Sequence, residues 1–359
     1  MNFLLKNARS TLHLWLCKRL GNWTQLCDIR YRVHNLCPTG IVLTILGLMI
    51  VPGAFAQRLD PIAEWATNTS YQSVIHQNIV YQKADGLDLK LDVITNGSGP
   101  APRPVVIYFH GGGWAKGAKE SSMLKTLPYL AWGMDVVNVE YRESWQAVAP
   151  AAVEDGRCAL HWVVSHAKEN GFDTSKIVTA GESAGGHLAL MTGMLTPAAG
   201  FDNECEFADD EWQTTGPKDV RVAAIVNFFG PTDLPEFLQP PGARKNISAL
   251  PMPRTFALRW FGDSPNTIEL AKRLSPLTYV RKDSPPIITV QGDKDAYVPY
   301  EQAVRLRDAL DRAGAQNGFL TIQGGGHGSS PPFAWTPAQN LTAHEAVFEF
   351  LEKVGILAK

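Results

Sequence analysis

The sequence predicts an α/β fold in which a mostly parallel sheet of about eight strands is covered on both faces by helices. Short runs rich in β-branched and aromatic residues recur along the chain, and from the third run onward they alternate with helical patterns. Several of these runs are continuously apolar, as expected of strands buried on both faces. No Pro/Gly/Ser-rich linker and no internal repeat interrupts residues 57–359, which read as one large domain.

In chain order, strands are expected at 74–82, 87–93, 105–109, 135–140, 176–180, 222–229, 286–291 and 319–323. Helical patterns lie at 121–132, 151–170, 184–195, 300–313 and 343–354. The runs at 105–109, 176–180 and 222–229 are the most apolar and belong at the centre of the sheet. Two stretches break the alternation: 196–219, acidic and loop-like, and 232–283, which carries Pro235, Pro240, Pro241, Pro251 and Pro253 around an apolar segment at 256–261. Insertions of this length commonly serve as lids or pocket walls.

The first 56 residues differ in character. Lys6, Arg9, Lys18, Arg19, Arg30 and Arg32 face the single acid Asp28, and an uncharged apolar run at 41–51 leads to Ala54 and Ala56. This is the pattern of an export signal cleaved after Ala56, with an uncleaved anchor or a misassigned start as the alternative, and it implies a location outside the cytoplasm, secreted or periplasmic. The rest of the chain carries 27 Lys and Arg against 34 Asp and Glu, an acidic balance that argues against nucleic acid as a partner. Of the five cysteines only Cys158 and Cys205 remain beyond the signal. They are able to bridge in an oxidising compartment, but Cys158, beside Ala159 and Trp162, reads equally well as a small buried residue.

The chemistry begins where the strand at 176–180 runs into Gly181-Glu182-Ser183-Ala184-Gly185-Gly186 and then into a helix. A Gly-x-Ser-x-Gly turn between strand and helix strains the serine backbone and exposes its hydroxyl at the helix N-terminus. A serine hydroxyl needs a base, and the base needs an acid to fix its tautomer. Both are available past later strands, the acid within Gly292-Asp293-Lys294-Asp295 and the base within Gly324-Gly325-Gly326-His327-Gly328. Asp295 is the preferred acid, Asp293 being read as a turn residue capping its own backbone. His327 is the preferred base. His187 is expected to pack below the turn, and His161 and His166 to be partly exposed helix residues. After the strand at 105–109, His110-Gly111-Gly112-Gly113-Trp114 offers backbone N–H groups that can meet a developing oxyanion together with that of Ala184. Gly112 and Gly113 are the preferred donors, and His110 is read as bracing the loop. Trp114, Trp145 and Tyr297 are expected to contact substrate, with Trp335 completing an aromatic wall and Glu143 near the cleft.

With these pieces the sequence resembles the α/β-hydrolase superfamily, and within it the His-Gly-Gly-Gly carboxylesterases of the hormone-sensitive-lipase and feruloyl/acetyl-xylan-esterase-like groups. The likeness spans roughly 75–350 and includes Pro150-Ala151-Ala152-Val153-Glu154-Asp155, Phe229-Gly230-Pro231-Thr232-Asp233-Leu234 and Ser275-Pro276-Leu277-Thr278-Tyr279-Val280. The resemblance implies Ser183 as nucleophile, Asp295 as acid, His327 as base, and Gly112, Gly113 and Ala184 as oxyanion donors. It implies no metal or organic cofactor, a small-molecule or saccharide ester as substrate, and no obligate protein partner. Glu182 and the run Tyr141-Arg142-Glu143-Ser144-Trp145 depart from the commoner family pattern, which bears on substrate choice. Polysaccharide deacetylase or feruloyl esterase activity, a formamidase-like amidase, and a non-catalytic interaction protein on the same scaffold are the alternatives.

Overall fold

Eight strands form one sheet in the order β1-β2-β4-β3-β5-β6-β7-β8. They are β1 (Val74–Ala84), β2 (Leu87–Thr95), β3 (Arg103–Phe109), β4 (Asp135–Val139), β5 (Phe172–Glu182), β6 (Ala224–Phe228), β7 (Ile287–Gly292) and β8 (Asn317–Ile322). Only the β1/β2 and β2/β4 pairs are antiparallel, so seven strands run in one direction and β2 alone runs against them. The structure, a computed structural model, describes residues 61–97, 99–203, 205, 220–239, 252–263 and 265–358. The expected export signal lies outside the described residues, as do the parts of the two insertions at 206–219 and 240–251. All described residues fall within one compact unit, Leu59–Lys359.

The runs expected at the centre became β3, β5 and β6 in the middle of the sheet, with residues 105–109, 177–181 and 224–228 all buried, as their lack of alternation requires. The topology explains where a site must form. From β3 the chain first crosses to β4 on one side and later to β5 on the other, so the carboxyl end of β3 is a switch point, and crevices open there. Phe109 is the register partner of Gly181, and Glu182 of Phe228, which brings the loops after β3, β5 and β6 side by side.

Several elements differ from the sequence expectation. The segment expected as one helix at 121–132 is a chain of short turns, α-helical at Lys119–Ser122, 3₁₀ at Met123–Thr126 and α-helical again at Leu127–Ala131, where Pro128 supplies no N–H to continue the earlier turn. The pattern at 151–170 breaks at His166, whose backbone leaves the helical region, giving helices Ala151–Ser165 and Ala167–Asn170. The last helix starts at Pro337 rather than 343, because Thr336 and Gln339 form a reciprocal capping box and Pro337 fits the first helical position. A helix at Pro61–Gln72 precedes β1.

Cys158 and Cys205 are joined in a disulfide with Cα atoms 5.1 Å apart, tying helix Ala151–Ser165 to the first insertion. Beside it the buried Arg157 donates to Asp202 through two nitrogens, at 2.6 and 2.8 Å, and to the Thr192 carbonyl at 2.8 Å. Burial alone raises the pKa of the Asp202 carboxyl, but these charged donors overcome it and hold the group well below the usual carboxylate range. His161, expected to be partly exposed, is instead buried with Nε2 3.5 Å from Asp202 Oδ2. His166 is half-buried and stacked on Trp162.

Candidate active site

Ser183 stands at the end of β5 with φ 54° and ψ −122°, immediately before helix Ala184–Met194. The turn is this sharp because the helix leaves the strand at once and packs back against the sheet. A Cβ on Gly185 would sit 2.0 Å from the Phe109 carbonyl oxygen, so only glycine permits the approach. The Ser183 amide donates to Phe228 O at 2.9 Å, and the Ser183 carbonyl accepts from His187 N at 3.0 Å. The strained serine is therefore held from both sides.

Three side chains from three loops meet. Ser183 Oγ is 2.8 Å from His327 Nε2, and His327 Nδ1 is 2.7 Å from Asp295 Oδ2. The Asp295 carboxylate has no solvent exposure, and its demands are met by protein donors. Oδ1 accepts from the amides of Tyr297 and Val298 at 2.8 and 2.9 Å, and Oδ2 accepts from Gln291 Nε2 at 2.9 Å. An acceptor-only carboxylate at Nδ1 keeps the ring proton there, leaving Nε2 as the lone pair that faces the serine hydroxyl. Asp293 does not cap its own backbone: its Oδ1 accepts from Gly324 N at 2.7 Å and so ties the loop after β7 to the loop bearing His327.

The glycine loop after β3 lies along the same opening. Gly112 adopts φ 134° and Gly113 φ 64°. A Cβ on Gly112 would fall 1.6 Å from the Lys116 carbonyl oxygen, so the loop folds onto itself at a spacing that only glycine allows. Neither amide donates to a backbone carbonyl among the described residues. His110 braces the loop: its ring stacks on Tyr141 at 4.3 Å, its Nδ1 is 2.9 Å from Gly111 O, and Tyr141 Oη donates to His110 O at 2.9 Å. Burial pulls the His110 pKa down, disfavouring the charged ring. His187 is fully buried below the turn, donating through Nε2 to Leu274 O at 2.7 Å and accepting at Nδ1 from Trp114 Nε1 at 3.3 Å; burial lowers its pKa to about 4.

These groups open into a cavity of about 330 Å³ whose walls include Gly112, Gly113, Ser183, Ala184 and His327. Trp114 and Tyr297 line it as well. Trp114 is buried and stacked on Trp260 at 4.4 Å, while Tyr297 lies 5.0 Å from the His327 ring. Three expectations, for Trp145, Glu143 and Trp335, are corrected. Trp145 is 73% exposed and outside the cavity wall; its indole donates to Glu143 Oε2 at 2.6 Å, and Glu143 is likewise outside the wall. Trp335 is buried behind the site, where Nε1 donates to Gly326 O at 2.8 Å and the ring meets Phe229 edge-on. The sequence reading overlooked Phe229, whose ring is 4.6 Å from that of His327, and Phe237 and Phe256, which the second insertion contributes to the wall. Phe229 stood within a motif already singled out; the two insertion residues carry no periodic signal of what they face. Glu182 lines the cavity with its carboxylate paired to Lys125 Nζ. Among the described residues no group of three or more His, Cys, Asp or Glu is arranged to hold a metal ion.

The fold, with Ser183, His327 and Asp295 in contact past the carboxyl ends of the strands, is that of the α/β-hydrolase class. The chain belongs to the BD-FAE family, whose model matches residues 91–310; a model for TAP-like proteins matches residues 267–354. It is 29% identical over 280 residues to esterase LipC of Mycobacterium tuberculosis, covering 76% of this chain and 64% of LipC. The chain thus spans less than two thirds of the length of that relative. Among solved structures it resembles Thermogutta terrifontis esterase 2 phosphoramylated by tabun (27% identity, TM-score 0.62, 80% of this chain and 97% of that one). That esterase has also been solved with propionate and with butyrate bound. A truncated carbohydrate esterase from gut microbiota is similar at 27% identity and TM-score 0.62, over 77% of this chain and 96% of the other.

Proposed function

We propose that this protein hydrolyses carboxylic esters through an acyl-enzyme. Ser183 Oγ attacks the ester carbonyl while His327 Nε2 takes its proton. The resulting oxyanion is met by the amides of Gly112, Gly113 and Ala184, the last at the positive end of helix Ala184–Met194. The alkoxide leaves with the proton from His327, a water deprotonated by the same nitrogen attacks the acyl-serine, and Ser183 is regenerated with release of the acid. The observation that carries this reading is the unbroken chain of contacts from Ser183 Oγ through His327 to the buried Asp295 carboxylate.

A cavity of about 330 Å³ suits a short acyl group, and the propionate and butyrate bound to the Thermogutta esterase favour the same choice. A carbohydrate ester is the second reading, favoured by the likeness to the gut carbohydrate esterase. Export is part of the proposal and is supported by the Cys158–Cys205 bridge, which persists in oxidising compartments. The test is a panel of aryl esters from acetate to laurate together with acetylated xylan and feruloyl sugars. Highest kcat/KM at two to four acyl carbons supports the short-ester reading, a preference for the saccharides supports the second, and turnover of none overturns both.

A further inference from the structure

We propose that the cavity is built for an ester that also carries a carboxylate, and that Lys116 recognises that second group; the inference rests on the ester-hydrolase reading above. Among the described residues the cavity wall holds two charged side chains besides the Ser-His pair, Glu182 and Lys116. The Glu182 charge is offset by Lys125. Lys116 makes no ion pair or hydrogen bond through its ammonium among the described residues, so it leaves an uncompensated cation on the wall of an otherwise acidic protein.

Its position is fixed from two directions. The Lys116 carbonyl occupies the space a Gly112 side chain would need, which anchors this residue to the loop that faces the oxyanion. The ammonium lies 5.9 Å from the centre of the Phe256 ring, and Phe256 in turn reaches to where a Gly113 Cβ would come within 2.7 Å of its Cγ. Lys116 and Phe256 therefore sit as a pair beside the glycines, a cation over an aromatic face with no carboxylate partner among the described residues. A substrate carboxylate supplies that partner, at an exposed part of the cavity wall beside Phe256. Esters of this class are monoesters of dicarboxylic acids, with the charge on the acyl side, or esters of hydroxy- or uronic-type acids, with the charge on the alcohol side.

The experiment compares kcat/KM for matched anionic and neutral substrates. On the acyl side these are 4-nitrophenyl hemisuccinate and 4-nitrophenyl butyrate; on the alcohol side they are 4-acetoxybenzoate and 4-methylphenyl acetate. In the wild type the anionic member is favoured in one of the two pairs, and the preference shrinks as salt rises. Lys116→Gln lowers the anionic-to-neutral ratio of that pair by about five- to tenfold, Lys116→Glu lowers it further, and Lys116→Arg retains it. The loss falls mainly on KM, as removal of a contact made equally in ground and transition states requires. Neutral esters turned over with both ratios unmoved by Lys116→Gln and Lys116→Glu would overturn this inference and leave the ester-hydrolase reading standing. Turnover of no ester by the wild type would overturn that reading and this inference with it.

Discussion

Asp295 Oδ2 and His327 Nδ1 stand 2.7 Å apart across 32 positions of sequence, with the carboxylate sealed from solvent. All four hydrogen bonds to this carboxylate come from donors, two amides on Oδ1 and Gln291 and His327 on Oδ2. In Asp295→Asn the side-chain oxygen must stay on the two amides, so its NH₂ faces His327 Nδ1. The ring then keeps its proton on Nε2, facing Ser183, and loses its capacity as a base. The expected loss in kcat is about 10³- to 10⁴-fold, measured with a short-chain aryl ester, with the fold retained by circular dichroism. A loss below tenfold would contradict this account of Asp295.

The glycine loop gives a graded test. A methyl on Gly112 collides with the Lys116 carbonyl at 1.6 Å and suits a φ of 134° poorly, whereas a methyl on Gly111 meets its nearest atom, the Glu182 carbonyl oxygen, at 3.1 Å. Gly112→Ala is therefore expected to cut kcat about 10²- to 10³-fold by displacing oxyanion donors, and Gly111→Ala considerably less. Equal effects from the two substitutions would show that the loop does not position the reacting oxygen in the way described.

Burial of His187 predicts an acid-side loss of stability. Its folded pKa is lowered to about 4 because burial disfavours the charged ring. Between an ordinary histidine pKa of about 6.5 and that value, the unfolded chain binds a proton the native state does not. Stability from this residue is therefore complete above about pH 6.5 and falls as pH drops toward about 4, by up to ~3 kcal/mol. Thermal unfolding across this range should show the slope in the wild type and a shallower one in His187→Gln, whose amide can still donate to Leu274 O. The same slope in both proteins would rule His187 out as its source.

Much of the site was legible because Ser183, the His110–Trp114 loop, Asp295 and His327 each follow the carboxyl end of an apolar run, and strand direction alone collects such positions on one edge. The spacing of glycines carried the turn geometry. Side-chain direction was not legible. Trp145 and Trp335 were grouped with Trp114 by residue type, yet one faces solvent and one props the His327 loop from behind. The partner of Cys158 lay 47 positions away in an insertion with no periodicity, so nothing in the local pattern distinguished a bridge from a buried thiol. Phe237 and Phe256 reach the cavity through tertiary packing of the same kind of insertion.

The central claim is that the Ser183 hydroxyl, activated through His327, is the attacking group. Steady-state turnover of 4-nitrophenyl butyrate by Ser183→Ala, with folding checked by its thermal midpoint, tests it most directly. The account predicts a fall in kcat of about 10³-fold or more in a protein that melts as the wild type does. A correctly folded Ser183→Ala enzyme turning over the ester within a few-fold of the wild-type rate would contradict it.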